Sequence, residues 1–476
     1  MALDTNCFPL PLVPFEHYLL LDDRPDYPMT FIVQLTLSGE IIRSVFETAL
    51  EEARLRHPLL RAVIQRLRGK GLCWVSADLK PQIDWADLDV PPEYAGKRNI
   101  DLTSETGLRI WIRCRDDKCV VTFQFHHCCC DGIGSFQFIG DLLACYGMHT
   151  ATPGNTPALR PIDLTTLPDR GRLPKAELET SASRVRIVWD TVREAVKWAG
   201  RRITPLHLPA SSVSKNQKLS PLSGVVIEFI DAAKTERLRI VATAGNATLN
   251  DLLLRDAFLT IDDWQSRYFS DNAADWFRIA MPTNLRPARR HSMPATNMLS
   301  YTFLTRRAGE CRDARTLLDG IQRETRLIKR WKLGFYFLAG VTLMQRIPGA
   351  LPLWTSGKRC LSTVLVTNLG SDASRCFTAR FPRQSGRILA GNLRLDNIIG
   401  VPPLRPNTHA AFSIVGYDGG FNLAAYCDPQ LYSAQAVREL LDLYLARLDK
   451  TAADTCSPGS PTLGPVTRDP VSDTGS

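Results

Sequence analysis

Apolar positions in the first third of the chain switch between two periods. Phe31–Leu37 predicts a strand, and Ile42–Arg56 predicts a helix with Val45, Leu50 and Leu55 turned inward. Arg61–Gln65 and Leu108–Cys114 supply further strands, and Val120–Phe125 reads as another. Directly after it comes the run His126-His127-Cys128-Cys129-Cys130-Asp131-Gly132. Apolar residues then recur at helical spacing (Phe136, Ile139, Leu142, Leu143, Tyr146), with Gly147 placed to stop the helix. The Pro- and Thr-rich stretch Thr150–Pro174 reads as a linker.

A second unit begins near Leu222. Val225–Phe229 predicts a strand and Asp251 to about Trp264 a helix; more strands follow at Phe277–Met281, Thr363–Val366, Ala411–Val415 and Phe421–Tyr426. Strands and helices mix in both parts, which predicts an α/β fold with mixed sheets. The expected division is an N-terminal half at 1–175, a basic amphipathic linker at 176–221, a C-terminal half at 222–455 and a tail at 456–476. The tail is read as disordered because Pro, Ser, Thr, Gly and Asp leave little to bury. In the linker, Arg184–Arg202 sets Val185, Val188, Trp189, Val192 and Val196 on one face, with Arg186, Arg193, Lys197 and Arg201 opposite. Packing on the protein body is the default for such a helix; lying at a lipid interface is the alternative.

Composition narrows the picture. A chain of 476 residues exceeds the usual single core, so two sub-domains or a large pseudo-repeat are expected. With 44% hydrophobic and 22% charged residues, disorder as the overall state is excluded. The best apolar stretch, Leu333–Met344, is too short to span a bilayer and is flanked by Lys332 and Arg346. No basic region precedes the first apolar residues, so a cytoplasmic location is expected rather than export. The 13 cysteines are an odd number with three consecutive, and they read as reduced thiols rather than a disulfide framework. The net charge of +9 is uneven: residues 181–220 hold eight Lys and Arg against two Asp and Glu. That favours an anionic partner such as a phosphorylated cofactor, an acidic carrier protein or a membrane surface, with a solvated basic helix as the plain alternative. No nucleic-acid partner is expected.

The histidine run carries the candidate chemistry. Transfer of an acyl group to a hydroxyl or amine needs a base for the acceptor's proton and donors for the oxygen that becomes negative. Histidine suits the first role because it titrates near neutrality. By strand parity His127 and His126 face opposite ways, so only one can point into a given cleft. Asp131 beside Gly132 suits a tight turn. A metal site is not expected, since five adjacent ligands point apart. Cys128–Cys130 read as small buried thiols in a tight wall, while a nucleophilic cysteine beside His127 is the chemical alternative.

His126-His127-x-x-x-Asp131-Gly132 resembles the HHxxxDG motif of the CoA-dependent acyltransferase superfamily. That group spans chloramphenicol acetyltransferase, nonribosomal peptide condensation domains, polyketide-associated acyltransferases and wax ester/diacylglycerol acyltransferases. Other segments follow in the superfamily's order. Pro9–Glu16 is similar to its Pro-x-x-x-Glu segment and Arg56-His57-Pro58-Leu59-Leu60-Arg61 to its "RHP-LR" helix end. Thr248-Leu249-Asn250-Asp251 resembles a "TxND" helix start, and Met281–Arg286 the central strand with its arginine. Thr367-Asn368-Leu369-Gly370 resembles an "SNLG" turn, and Gly420–Asp428 the final core strand. The match runs from about Pro9 to Asp449. All three x positions are cysteine, a departure from the usual small or aliphatic residues, and the lack of an Asp-Phe-Gly-Trp-Gly segment fits poorly with the plant acyltransferase branch. No carrier-domain Ser motif is found, from which a stand-alone enzyme is expected.

The resemblance implies two chloramphenicol-acetyltransferase-like sub-domains around a central tunnel. It implies His127 as general base and the Gly132 backbone N–H as oxyanion donor. His126 and Asp131 become structural, with Arg286 as partner of Asp131; Asn368 and Asn250 fall along the substrate channel. No permanently bound cofactor or covalent acyl-enzyme is implied. The co-substrate is an acyl-CoA or acyl-carrier thioester, with an acyl carrier protein as one partner. The acceptor is a small molecule or lipid, and peripheral membrane contact fits a lipid-like product. Amide formation by a free-standing condensation enzyme and a non-catalytic scaffold are the alternatives. Asn250 and Asp251 also fit a helix cap. Arg323, Arg326, Lys329 and Arg330 have helical spacing for CoA phosphates or for a solvated face.

Overall fold

Two large sheets, each backed by helices, meet along one seam, and a small three-stranded sheet (Leu10–Pro11, Gly71–Ser76, Ala62–Leu67) shares the core of the first. The computed structural model describes residues 7–152, 154–171, 200–209, 219–268, 275–286, 292–330, 333–357 and 359–454. Nearly all of the amphipathic segment 184–202, and the tail from 456, lie outside the described residues.

The first sheet has seven strands in the order Arg383–Gln384, Arg387–Ala390, Leu393–Val401, Thr30–Ser38, Lys118–His126, Leu108–Arg115, Gln82–Asp87. The second has six: Leu299–Arg307, Trp276–Asn284, Val364–Asn368, Ala410–Tyr417, Gly420–Cys427, Val225–Ile230. Parallel and antiparallel pairs occur in both. The division at 222 is corrected by this topology. Leu393–Val401 runs antiparallel to Thr30–Ser38, so three strands from late in the chain complete the N-terminal sheet. Pairing obeys ladder register, not chain order.

Each large sheet has its own core. Leu19, Leu35, Leu59, Phe125 and Phe136 fill the first; Phe258, Trp264, Phe277, Phe412 and Tyr444 fill the second. Each such large apolar side chain contributes about 1.5–3 kcal/mol by leaving water. Across the seam Arg405 forks onto the buried Asp22 carboxylate, and the Tyr27 hydroxyl donates to Asp428 at 2.7 Å.

Four local expectations need correction. In helix Arg43–Arg56 the inward stripe is Phe46, Ala49, Leu50 and Ala53, while Leu55 is 42% exposed and Val45 half-buried. Helix Gly132–Thr150 runs through Gly147; a Cβ there would sit 2.7 Å from Pro157 and 3.0 Å from the Ala390 carbonyl carbon. The glycine permits close approach rather than ending the helix. The stretch read as a linker holds Arg170, fully buried and paired with Glu16 at 2.7 Å. Finally, Cys114 and Cys119 face each other across a hairpin and form a disulfide, where reduced thiols were expected. Among the described residues no helix is long and apolar enough to cross a membrane.

Candidate active site

Strand Lys118–His126 delivers the histidines. It is paired on both edges, with Phe125 opposite Phe31 on one side and Leu108 on the other. The His126 N–H donates to the Gly107 carbonyl at 2.9 Å, and the His127 N–H to the Met29 carbonyl at 2.7 Å. The neighbouring residues thus turn to opposite sides. His126 is fully buried, and its Nδ1 accepts the Cys128 N–H at 3.1 Å. It braces the turn.

His127 lines a cavity of about 120 Å³ between the two sheets. Its ring lies 5.0 Å from that of Phe31, and its Nδ1 is enclosed without a hydrogen-bond partner. Burial pushes the imidazole pKa below its ordinary value, while the Asp131 charge pulls the other way and loses. The ring is therefore neutral at neutral pH, the form that can accept a proton.

Asp131 caps helix Gly132–Thr150. Its Oδ1 accepts the Gly134 N–H at 2.8 Å; its Oδ2 accepts Arg286 Nη1 at 2.7 Å and the Met298 N–H at 2.8 Å. Burial works to raise its pKa, but the Arg286 charge and these bonds overcome it and hold the carboxyl below the usual range. Both oxygens are committed to scaffold. Gly132 is the first helical residue, so the helix offers its N–H no partner. A Cβ at Gly132 would come within 3.2 Å of Leu369.

A strap from the second half, Ala295–Met298, grips this turn. The sequence reading missed it. Arg286 Nη2 donates to the Thr296 carbonyl at 2.7 Å, and the Asn297 side-chain amide donates to the His127 carbonyl. The Ala295 N–H donates to His57 Nδ1 at 2.8 Å, so His57 carries its proton on Nε2 and presents it to Asp141 at 3.1 Å. Arg56 adds a 2.7 Å bond to the same carboxylate. The Arg56-His57-Pro58 segment thus supports the strap from behind. The available signal was Thr296 and Asn297, two polar residues set between Ala295 and the apolar pair Met298 and Leu299.

Asn368 lines the cavity, and its amide donates to Asn250 Oδ1 at 3.0 Å. Asn250 does not line the cavity; it holds Asn368 from behind. Thr248 and Asp251 form a capping box that starts helix Leu249–Ser266. The three cysteines are wholly buried and go to different places. Cys128 donates to the Glu16 carbonyl at 3.4 Å, Cys129 packs on Gly107, and Cys130 lies beside Gly134. Burial pushes all three thiols up, away from the thiolate a nucleophile needs. Of the basic cluster, Arg326 donates to the Asn246 carbonyl at 2.8 Å, and none of its residues lines the cavity.

A smaller cavity, lined by Tyr27, Tyr94, Arg98 and Asp428, shares Ile32, Val401, Pro402 and Pro403 with the first.

No family model matches the sequence, and no curated protein matches it. Solved structures do. The first condensation domain of the CDA synthetase superposes with TM-score 0.66 at 13% identity, over 94% of this chain and 96% of that one. TRI3 trichothecene 15-O-acetyltransferase from Fusarium sporotrichioides gives 0.64 at 13%, over 93% and 94%. Polyketide synthase associated protein 5 from Mycobacterium tuberculosis gives 0.56 at 17%, over 93% and 97%. The chain thus shares the fold of these condensation and acetyltransferase domains. In that fold the cavity of His127 falls where the two sheet-bearing halves face each other, and the late strand Leu393–Val401 supplies part of its wall.

Proposed function

We propose that the protein is an acyltransferase that moves an acyl group from a thioester to an alcohol or amine. One observation carries the reading: among the residues lining the inter-sheet cavity, His127 is the sole histidine, and burial keeps it neutral. The acceptor's O–H or N–H meets His127 Nε2, since Nδ1 is enclosed. His127 takes the proton as the acceptor attacks the thioester carbonyl. The Gly132 N–H receives the oxygen that becomes negative, and collapse expels the thiolate, which recovers the proton from His127. The donor is an acyl-CoA or acyl-carrier thioester, and no permanently bound cofactor takes part. Ile32, Leu299, Leu365 and Val401 line the cavity and favour an apolar, lipid-like alcohol. Amide formation is the second reading, favoured by the likeness to condensation domains.

Purified protein given a panel of acyl-CoAs with alcohols or amines should release free thiol with one acceptor class. His127→Ala should lower kcat/KM by about 10²–10⁴-fold. A variant that keeps the wild-type rate removes the base role from His127, and wild-type protein that releases thiol with neither acceptor class leaves a scaffold.

A further inference from the structure

Helix Gly334–Gln345 (GFYFLAGVTLMQ) contains no charged residue, yet only Gly334, Leu338 and Val341 in it are buried. A helix apolar on every side belongs inside a core or against a lipid phase. This one lies at the surface. Its end, the turn Arg346–Gly349 and the uncharged helix Ala350–Ser356 form a tip on which Leu343, Ile347 and Leu353 stand 45%, 53% and 76% exposed. The tip is anchored from below: the Phe337 ring packs on Tyr18, Tyr301 and Trp354 at 5.8, 5.5 and 5.9 Å. Tyr301 is itself part of the wall of the His127 cavity.

The segment that builds the tip carries charge of one sign. From Thr325 to Ser371 the chain has no Asp or Glu, and it has seven Lys and Arg. Arg346 stands in the tip itself and is exposed, while Arg326, Lys329 and Arg330 belong to the preceding helix Ala314–Arg330. Uncharged helices with protruding aliphatic side chains, an exposed arginine between them and no acid in the same segment match the layered chemistry of an anionic bilayer surface, acyl chains below and phosphates above. Protein interfaces instead mix aromatic and hydrogen-bonding residues across their centre and rim.

We propose that the tip Leu343–Leu353 docks the protein onto an anionic lipid bilayer, with Leu343, Ile347 and Leu353 entering the headgroup boundary and Arg346 meeting lipid phosphates. The surface lies outside the amphipathic segment 184–202, and it stands whether or not the transfer reaction does. The aromatic ladder places the lipid phase beside the cavity wall.

Sedimentation with vesicles tests it. The full chain should bind phosphatidylcholine vesicles that contain phosphatidylglycerol, bind pure phosphatidylcholine weakly, and lose binding as salt rises. Ile347→Asp with Leu353→Asp should lower partitioning by about tenfold or more, with an unchanged melting curve. His127→Ala should bind like wild type, which separates this surface from the catalytic reading. Absence of binding to the anionic vesicles overturns the proposal, as does binding that ignores the double substitution. So does a double variant that loses a purified acidic acyl carrier protein while still binding vesicles.

Discussion

His127 owes its chemistry to where its strand ends. One residue earlier, His126 turns into the core and accepts a backbone N–H; one residue later, Cys128 points at the Glu16 carbonyl. Only position 127 reaches the cavity. Its pKa is lowered by burial, so the base is lost only when pH falls below the ordinary histidine value. We therefore expect kcat/KM to stay level through neutral pH and to decline only below about pH 6.5. An acid limb centred at or above that value, measured over a pH series, would contradict a desolvated imidazole. The same sign applies to stability. The unfolded chain binds this proton first as pH falls, so the contribution of a neutral buried His127 is lost on the acid side. The motif and its strand parity were legible along the chain. The Asn297 amide on the His127 carbonyl was not, because 170 residues of chain separate the two.

At the scale of elements, the cysteine run is a fit between a turn and the start of a strand. Gly107 immediately precedes strand Leu108–Arg115, and a Cβ there would fall 2.1 Å from Cys129 Sγ. Gly107→Ala should therefore destabilise the protein by about 1–3 kcal/mol in denaturant titration. Adding Cys129→Ala removes the sulfur and should recover much of that loss, so the two changes are strongly non-additive. Additive effects would mean that the run is not packed against this glycine. The apolar period found most helices and strands but misassigned the inward stripe of Arg43–Arg56. Ala49 and Ala53 face the core there, where close helix packing admits small side chains that a count of large apolar residues overlooks.

For the whole molecule, the decisive feature is the return of residues 383–401 to the N-terminal sheet. Without them Thr30–Ser38 becomes an exposed edge bearing Leu35 and Leu37, open to intermolecular pairing. A fragment of residues 1–221 should accordingly aggregate or lack cooperative unfolding, as read by size-exclusion chromatography and thermal melting. A monomeric, cooperatively melting fragment would show that the late strands are dispensable. The strap Ala295–Met298 makes the same point for the site, since the second half orients a turn that belongs to the first.

What the sequence alone determined was local and periodic. The element types, the HHxxxDG turn with its Asp131 cap, and the resemblance that points to the superfamily fold all depend on spacings of a few residues. Tertiary structure decided which half owns each strand, which nitrogen of His127 is enclosed, what fills the space around three cysteines, and which leucines stay in water. Those outcomes depend on burial and on partners 100 or more residues away, such as Cys128 with Glu16 or Asp131 with Arg286. Periodicity reports the face a residue shows. It does not report what that face meets.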